Sequence, residues 1–259
     1  MKPWKISGAG NTFLLEILDE KARPPSQDLS RKLCDENAVD GYLALLTKGS
    51  GSGHFEWAFF NRDGSLAEFC GNAARCAQHY VNKLFGIQKA EHHTTAGLVV
   101  TWQEDHHSWV QMPTPQIFNP AQKLSYQGQA FEVFWCDTGV PHVVVKDKGQ
   151  RSLEVSRALR FHSDLGPRGA NVTWIQDAGL QVGEIQAVTY ERGVEDYTQA
   201  CGTGAFAAAL ARHTSHPAQL NFEIQMPGGK LLLKKRDSSW IMTGPVHKLG
   251  EWRGSQNEP

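Results

Sequence analysis

The sequence predicts an α/β protein in two similar halves, each a set of strands around one central helix headed by a cysteine. Two observations predict it. Cys70-Gly71-Asn72-Ala73-Ala74 and Cys201-Gly202-Thr203-Gly204-Ala205 each join a Cys-Gly-polar step to a stretch of small residues, and β-like apolar runs surround both. A thiol where backbone N–H groups and the positive end of a helix dipole converge has its thiolate stabilised, which makes it a usable base or nucleophile near neutral pH. Two such thiols, one per half, suggest a pair facing each other across a cleft, one taking a proton while the other gives one.

In the first half, Leu14 to Leu18, Tyr42 to Leu46, Phe55 to Phe60 and Leu98 to Trp102 read as strands, with a helix from about Gln27 to Glu36 between them. The principal helix starts at Cys70. Ala73, Cys76/Ala77, Tyr80/Val81 and Leu84 form an apolar stripe at helical spacing and Gly86 is the expected stop, so Cys76 packs in the core. A connector punctuated by Pro113, Pro115 and Pro120 marks the boundary: residues 1–114 form the first lobe, to which 246–259 return, and 115–245 form the second. Strands then follow at Phe131 to Trp135, Val143 to Val145, Asn171 to Ile175, Ile185 to Tyr190 and Leu231 to Lys234. From Thr203 to about Arg212 the chain is Ala-rich and apolar nearly all round, the pattern of a buried helix enclosed by sheet.

Composition narrows the function class. The 259 residues carry a formal net charge of −1, which argues against nucleic acid or an anionic membrane as partner and favours a small solute. No run approaches the roughly 20 apolar residues that span a bilayer, and the N-terminus lacks a signal peptide, so a cytoplasmic protein is expected. Five cysteines, Cys34, Cys70, Cys76, Cys136 and Cys201, are an odd number with no CxxC pair and read as reduced thiols. The doublets His92-His93 and His106-His107 lack a second ligand set at zinc spacing and read as solvated loop; no metal is expected.

Phe69-Cys70-Gly71-Asn72-Ala73-Ala74-Arg75-Cys76, Glu191-Arg192-Gly193-Val194 and Ala200-Cys201-Gly202-Thr203-Gly204 resemble the signature segments of the diaminopimelate epimerases. Gly8-Ala9-Gly10-Asn11, Phe60-Asn61-Arg62-Asp63-Gly64-Ser65, Gly139-Val140-Pro141-His142, Asn171-Val172 and Thr243-Gly244-Pro245 follow the same family order, so the resemblance covers nearly the whole chain. Proline racemases and hydroxyproline epimerases share the Cys-Gly-Thr-Gly step, whereas Gly-Asn after the first cysteine favours the diaminopimelate branch.

The resemblance implies an α/β (α+β) fold of two pseudo-symmetric lobes, each a mixed sheet wrapped around a central helix, with the active site between them. It implies epimerisation of LL-2,6-diaminopimelate to the meso isomer, in lysine and peptidoglycan precursor biosynthesis, with no pyridoxal phosphate and no metal. Cys70 and Cys201 would be the proton carriers, with His142 and Glu191 beside them. Backbone N–H groups at Gly71, Asn72, Gly202 and Thr203 would hold the reacting carboxylate as charge develops on it. Arg192 would grip the distal carboxylate with Asn61 and Asn171, and Asn11 would complete the pocket. A homodimer is allowed. Two departures stand out: Val140 replaces the family's usual asparagine, and the stretch from Val194 to Cys201 is one residue longer than usual. The alternative is a cofactor-independent racemase of another amino acid.

Overall fold

The computed structural model describes residues 3–19, 21–47, 52–179 and 182–255. The chain divides into two compact units, residues 1–111 with 243–259, and residues 112–242.

In the first unit the elements are β1 (Trp4–Gly8), β2 (Asn11–Leu18), α1 (Gln27–Asn37), β3 (Gly41–Thr47), β4 (His54–Asn61), α2 (Gly71–Phe85), β5 (Lys89–Thr94), β6 (Gly97–Glu104) and β7 (His107–Gln111). In the second they are β8 (Gln116–Tyr126), β9 (Gln129–Asp137), β10 (Pro141–Lys146), α3 (Leu153–Arg160), β11 (Asn171–Asp177), β12 (Glu184–Tyr190), α4 (Gly202–Ser215), β13 (Asn221–Met226), β14 (Gly229–Arg236) and β15 (Ser239–Thr243). The last strand, β16 (Val246–Glu251), pairs antiparallel with β1.

The two units repeat one topology. In the first, strand order is β16-β1-β2-β3-β4-β5-β6-β7; in the second it is β8-β9-β10-β11-β12-β13-β14-β15. β2 and β3 are parallel with α1 between them in sequence, as β10 and β11 are with α3. Likewise β4 and β5 are parallel across α2, and β12 and β13 across α4. A parallel pair needs such a crossover, which is why each unit carries two helices. The halves expected from the sequence are therefore mixed sheets with matching helices.

Within each unit one sheet face packs on the smaller crossover helix. In the first, Leu14, Tyr42, Ala44, Ala58 and Phe60 form a cluster with Leu33 and Cys34 of α1. In the second, Val143, Val145, Val172, Trp174, Val188 and Tyr190 cluster with Leu159 of α3. Because side chains alternate along a strand, the intervening residues of β10, β11 and β12 face the other way, toward α4. Gly202 to Leu210 of α4 are buried without interruption, the consequence of its small apolar composition.

The proline connector differs from expectation. Pro120 lies inside β8, whose pairing with β9 slips at Ile117/Asn119 and Asn119/Gln122. β8 ends the strand order of its unit, so a residue without an N–H is tolerated there.

Candidate active site

In both units the approach to the cysteine is built alike. After β4, Phe60 bridges Leu66, the Ala67 N–H donates to the Phe59 carbonyl at 2.9 Å, and the Asn61 N–H donates to Ser65 O at 2.9 Å. After β12, Tyr190 bridges Tyr197, the Thr198 N–H donates to Thr189 O at 3.0 Å, and the Glu191 N–H donates to Asp196 O at 3.0 Å. Asn61 and Glu191 thus hold matching places. The second loop is one residue longer between its bridged residues, Tyr190 and Tyr197 against Phe60 and Leu66, and Glu195 lies within it in the left-handed region at φ 56°. Its carboxylate meets the buried Arg160 guanidinium at 3.3 Å.

Cys70 caps α2 from extended backbone, φ −143° and ψ 109°, and its sulfur accepts the Ala73 N–H at 3.5 Å. Gly71 and Asn72 form the buried first helical positions, where N–H groups point out of the helix end. The Asn72 side chain turns inward and its Oδ1 accepts from Arg75 Nη2 at 2.8 Å. Arg75 is fully buried, and its Nη1 donates to the Pro245 carbonyl at 3.3 Å, which also accepts the Ala9 N–H at 3.1 Å. Burial lowers the Arg75 pKa, while the negative forms of Cys76 and Cys70 favour its cation. Asn11 donates to Asp40 Oδ2 at 3.1 Å, and Asn61 donates to Ser65 Oγ at 3.0 Å.

Cys201 caps α4 in nearly the same conformation, φ −121° and ψ 108°, but is buried and makes no side-chain cap bond. Its N–H meets Met226 Sδ at 3.4 Å, and its sulfur lies 3.4 Å from Thr203 Oγ1. Burial pushes the Cys201 thiol well above its usual pKa and the Glu191 carboxylate adds to that, with the Thr203 hydroxyl and the Gly204 N–H pulling the other way. Cys201 therefore rests as the thiol at neutral pH. Glu191 Oε1 accepts from Thr198 Oγ1 at 2.5 Å.

Behind Cys201 lies a buried polar row contributed by three strands. Register pairs His142 with Asn171 and Thr173 with Thr189 on the sheet face toward α4. His142 Nδ1 stands 3.0 Å from Thr173 Oγ1 and its Nε2 3.0 Å from Thr203 Oγ1; Thr173 and Thr189 hydroxyls are 3.1 Å apart. Asn171 donates from Nδ2 to His142 Nε2 at 3.2 Å and accepts the Arg192 N–H on Oδ1 at 2.7 Å. Burial, aided by the Arg192 charge, pushes His142 down to about 3, so it is neutral. Arg192 is half-buried.

The remaining cysteines are free and buried. Burial raises Cys34 and Cys76 to about 12 each and Cys136 further, so all three stay thiols. The histidine doublets need correction. His92 is fully buried on β5, 2.9 Å from Thr101 Oγ1 and stacked on Phe55, because strand alternation turns it inward while His93 stays exposed. His106 does occupy an exposed turn, at φ 64°. Among the described residues no group of His, Cys, Asp or Glu has metal-binding geometry. Sequence reading missed Arg75, Thr173 and Thr189. A threonine in register with its neighbours on an otherwise apolar strand face is the signal that could have found the last two.

A duplicated α/β unit, with two crossover helices in each half, defines the fold class. The fold is shared with a hydroxyproline epimerase from Agrobacterium vitis, at a TM-score of 0.70 and 14% identity over 97% of this chain and 91% of that one. A putative phenazine biosynthesis protein from Clostridium difficile shares it at 0.71 and 14%, over 98% of each chain. Within that class the chain belongs to the diaminopimelate epimerase family, whose sequence profile matches residues 4–118 and 134–249. It is 34% identical to the diaminopimelate epimerase of Aquifex aeolicus over 99% of this chain and 98% of that protein. It is 31% identical to the Thermotoga maritima enzyme of the same name, over 95% and 98%.

Proposed function

We propose that this protein epimerises LL-2,6-diaminopimelate to the meso isomer through Cys70 and Cys201, without a cofactor. The observation that carries the proposal is the paired cap: two cysteines, each on extended backbone after a matching strand, bridge and loop, each opening a crossover helix. Family membership supplies the substrate class.

One thiolate removes the α-proton as the other thiol delivers a proton to the opposite side of the same carbon. The pair therefore carries one proton between them and titrates as a unit. Cys201, held as the thiol by burial and Glu191, suits the donor in the resting enzyme, which leaves Cys70 as the acceptor. After one turnover the roles are exchanged. Negative charge developing on the substrate carboxylate is met by the N–H groups of Gly71, Asn72, Gly202 and Thr203 at two helix ends. Arg192, ordered through its own N–H on Asn171, is proposed to bind the distal carboxylate. A cytoplasmic setting suits reduced thiols.

The test is incubation of the reduced protein with LL-diaminopimelate in deuterated water and no added cofactor. Deuterium at one α-carbon with formation of the meso isomer is expected; absence of exchange, or an absolute need for pyridoxal phosphate, rejects the proposal.

A further inference from the structure

We infer that the Thr203 hydroxyl is a two-position rotor that follows the protonation state of Cys201, and that Asn171, Thr173 and Thr189 fix His142 behind it as a neutral acceptor. His142 is then a positioning residue acting through Thr203. The inference rests on the reading of Cys201 as a proton carrier, and on nothing about the substrate.

The direction of each hydrogen bond follows from what its atoms can do. The Arg192 N–H can only donate, so the Asn171 atom 2.7 Å away is its oxygen, and the amide nitrogen is the atom facing His142 Nε2 at 3.2 Å. An amide nitrogen also only donates. Nε2 is therefore unprotonated, and the imidazole proton sits on Nδ1, 3.0 Å from Thr173 Oγ1. Thr173, accepting there, can turn its own proton to Thr189 at 3.1 Å. One backbone N–H on the Glu191–Arg192 loop thus fixes the tautomer of a histidine on β10.

Thr203 is left with one proton and two neighbours, Nε2 at 3.0 Å and the Cys201 sulfur at 3.4 Å. Its backbone is held in place, since Thr138 Oγ1 donates to its carbonyl at 2.9 Å. When Cys201 is a thiol, its S–H is drawn to the Glu191 carboxylate and the Thr203 O–H points to Nε2. When Cys201 is a thiolate, O–H turns to the sulfur, and Nε2 keeps the Asn171 N–H. Nε2 has a donor in both states and the thiolate has one when it forms, through rotation of a hydroxyl. The proton that leaves is the one on sulfur, to the substrate carbon, and it returns by the same route; Thr203 and His142 neither gain nor lose one. The charged groups facing this row are Glu191, which disfavours the thiolate, and Arg192, which disfavours an imidazolium. Its other partners on β11, β12 and α4 are hydroxyls and one amide, and Cys136 of β9, in register with His142, is kept a neutral thiol by burial.

The test uses a Cys70→Ala protein and follows iodoacetamide alkylation of Cys201, read by peptide mass, at pH 8.5. Losing a hydrogen bond to a charged sulfur should lower the thiolate population, so Thr203→Val is expected to slow alkylation roughly 10- to 100-fold. Thr203→Ser and His142→Gln, which keep a hydroxyl and an acceptor respectively, are expected within about threefold of the parent. A Thr203→Val rate within threefold of the parent overturns the rotor; a His142→Gln rate as slow as Thr203→Val overturns the positioning role. Imidazole ¹⁵N shifts of the unsubstituted protein, assigned by the signal lost in His142→Gln, supply a second measurement that requires no folded Thr203 variant. An Nδ1–H tautomer unchanged from pH 5.5 to 9 is expected, and an Nε2–H tautomer or an imidazolium in that range overturns the inference. Neither measurement involves diaminopimelate, so the substrate assignment stands or falls separately.

Discussion

Gly204 and Thr189 approach so closely that a Cβ on the glycine would stand 2.3 Å from the threonine hydroxyl, with Thr173 Oγ1 at 3.0 Å. Inside a helix Gly→Ala is ordinarily stabilising by about 0.5–1 kcal/mol. Here the sign reverses: Gly204→Ala is expected to destabilise by about 1–3 kcal/mol through overpacking against the polar row. Adding Thr189→Ala should recover part of the loss. Urea unfolding of the two single variants and the double variant measures this coupling, and additive effects would show that the contact is not the cause.

Cys70→Ala and Cys201→Ala should each lower epimerisation by several orders of magnitude, because each removes an obligatory proton carrier. Cys76, fully buried one turn into α2, should behave differently. Cys76→Ala is expected to cost about 1 kcal/mol of stability and little turnover. Steady-state rates on folded variants separate the two; a Cys76→Ala loss as large as that of Cys70→Ala would contradict the pairing.

Arg75 ties the start of α2 to the Pro245 carbonyl and orients Asn72. Arg75→Met removes both hydrogen bonds from a fully buried site, so a loss of about 1–3 kcal/mol is expected, with turnover falling more than KM rises. Thermal unfolding and kcat against KM are the readouts. Unchanged kcat would limit Arg75 to a structural role.

Substrate choice turns on Arg192. Lysine lacks the distal carboxylate, and a site built for that group should reject it by roughly 10⁴ or more. Arg192→Met should depress kcat/KM for LL-diaminopimelate far more than any residual activity on lysine, and Val140→Asn should be tolerated. Comparable kcat/KM for diaminopimelate and monocarboxylate amino acids would favour a racemase of broader range.

Stability should fall as the solution is acidified below pH 6.5. His142 and His92 are both pushed down to about 3 by burial, so the unfolded chain binds protons that the folded one refuses between about pH 6.5 and 3. Unfolding free energy then rises with pH through that window, each histidine adding up to about 1.4 kcal/mol per pH unit. Urea titrations at pH 5.0, 5.75 and 6.5 measure the slope above the range where carboxylates dominate. His92→Gln should flatten it, and an unchanged slope would place the effect elsewhere.

The two cysteine-headed helices were legible in the chain because their determinants are local. The cap, the helical apolar stripe from Ala73 to Leu84 and the left-handed Gly86 stop lie within 17 residues of α2 and its flanks, and the apolar character of α4 is continuous in sequence. Strands with long apolar runs, such as Tyr42 to Leu46, were legible for the same reason. β1, β5 and β7 were not, since they are short and interrupted by polar residues, and neither was the inward face of His92.

What only the tertiary structure decided is the surroundings of Cys201. Asn171, Thr173, Thr189 and His142 come from three strands and become neighbours through strand register, which depends on pairings remote in sequence. A threonine's presence is written in the chain, but whether its hydroxyl meets water, a backbone carbonyl or an imidazole is fixed when β10, β11, β12 and α4 pack. The sequence by itself therefore determined which residues head the two helices and the family to which the chain belongs. The packing decided which way the protons around Cys201 point, because hydrogen-bond direction in a buried row is set by the donors and acceptors at its ends.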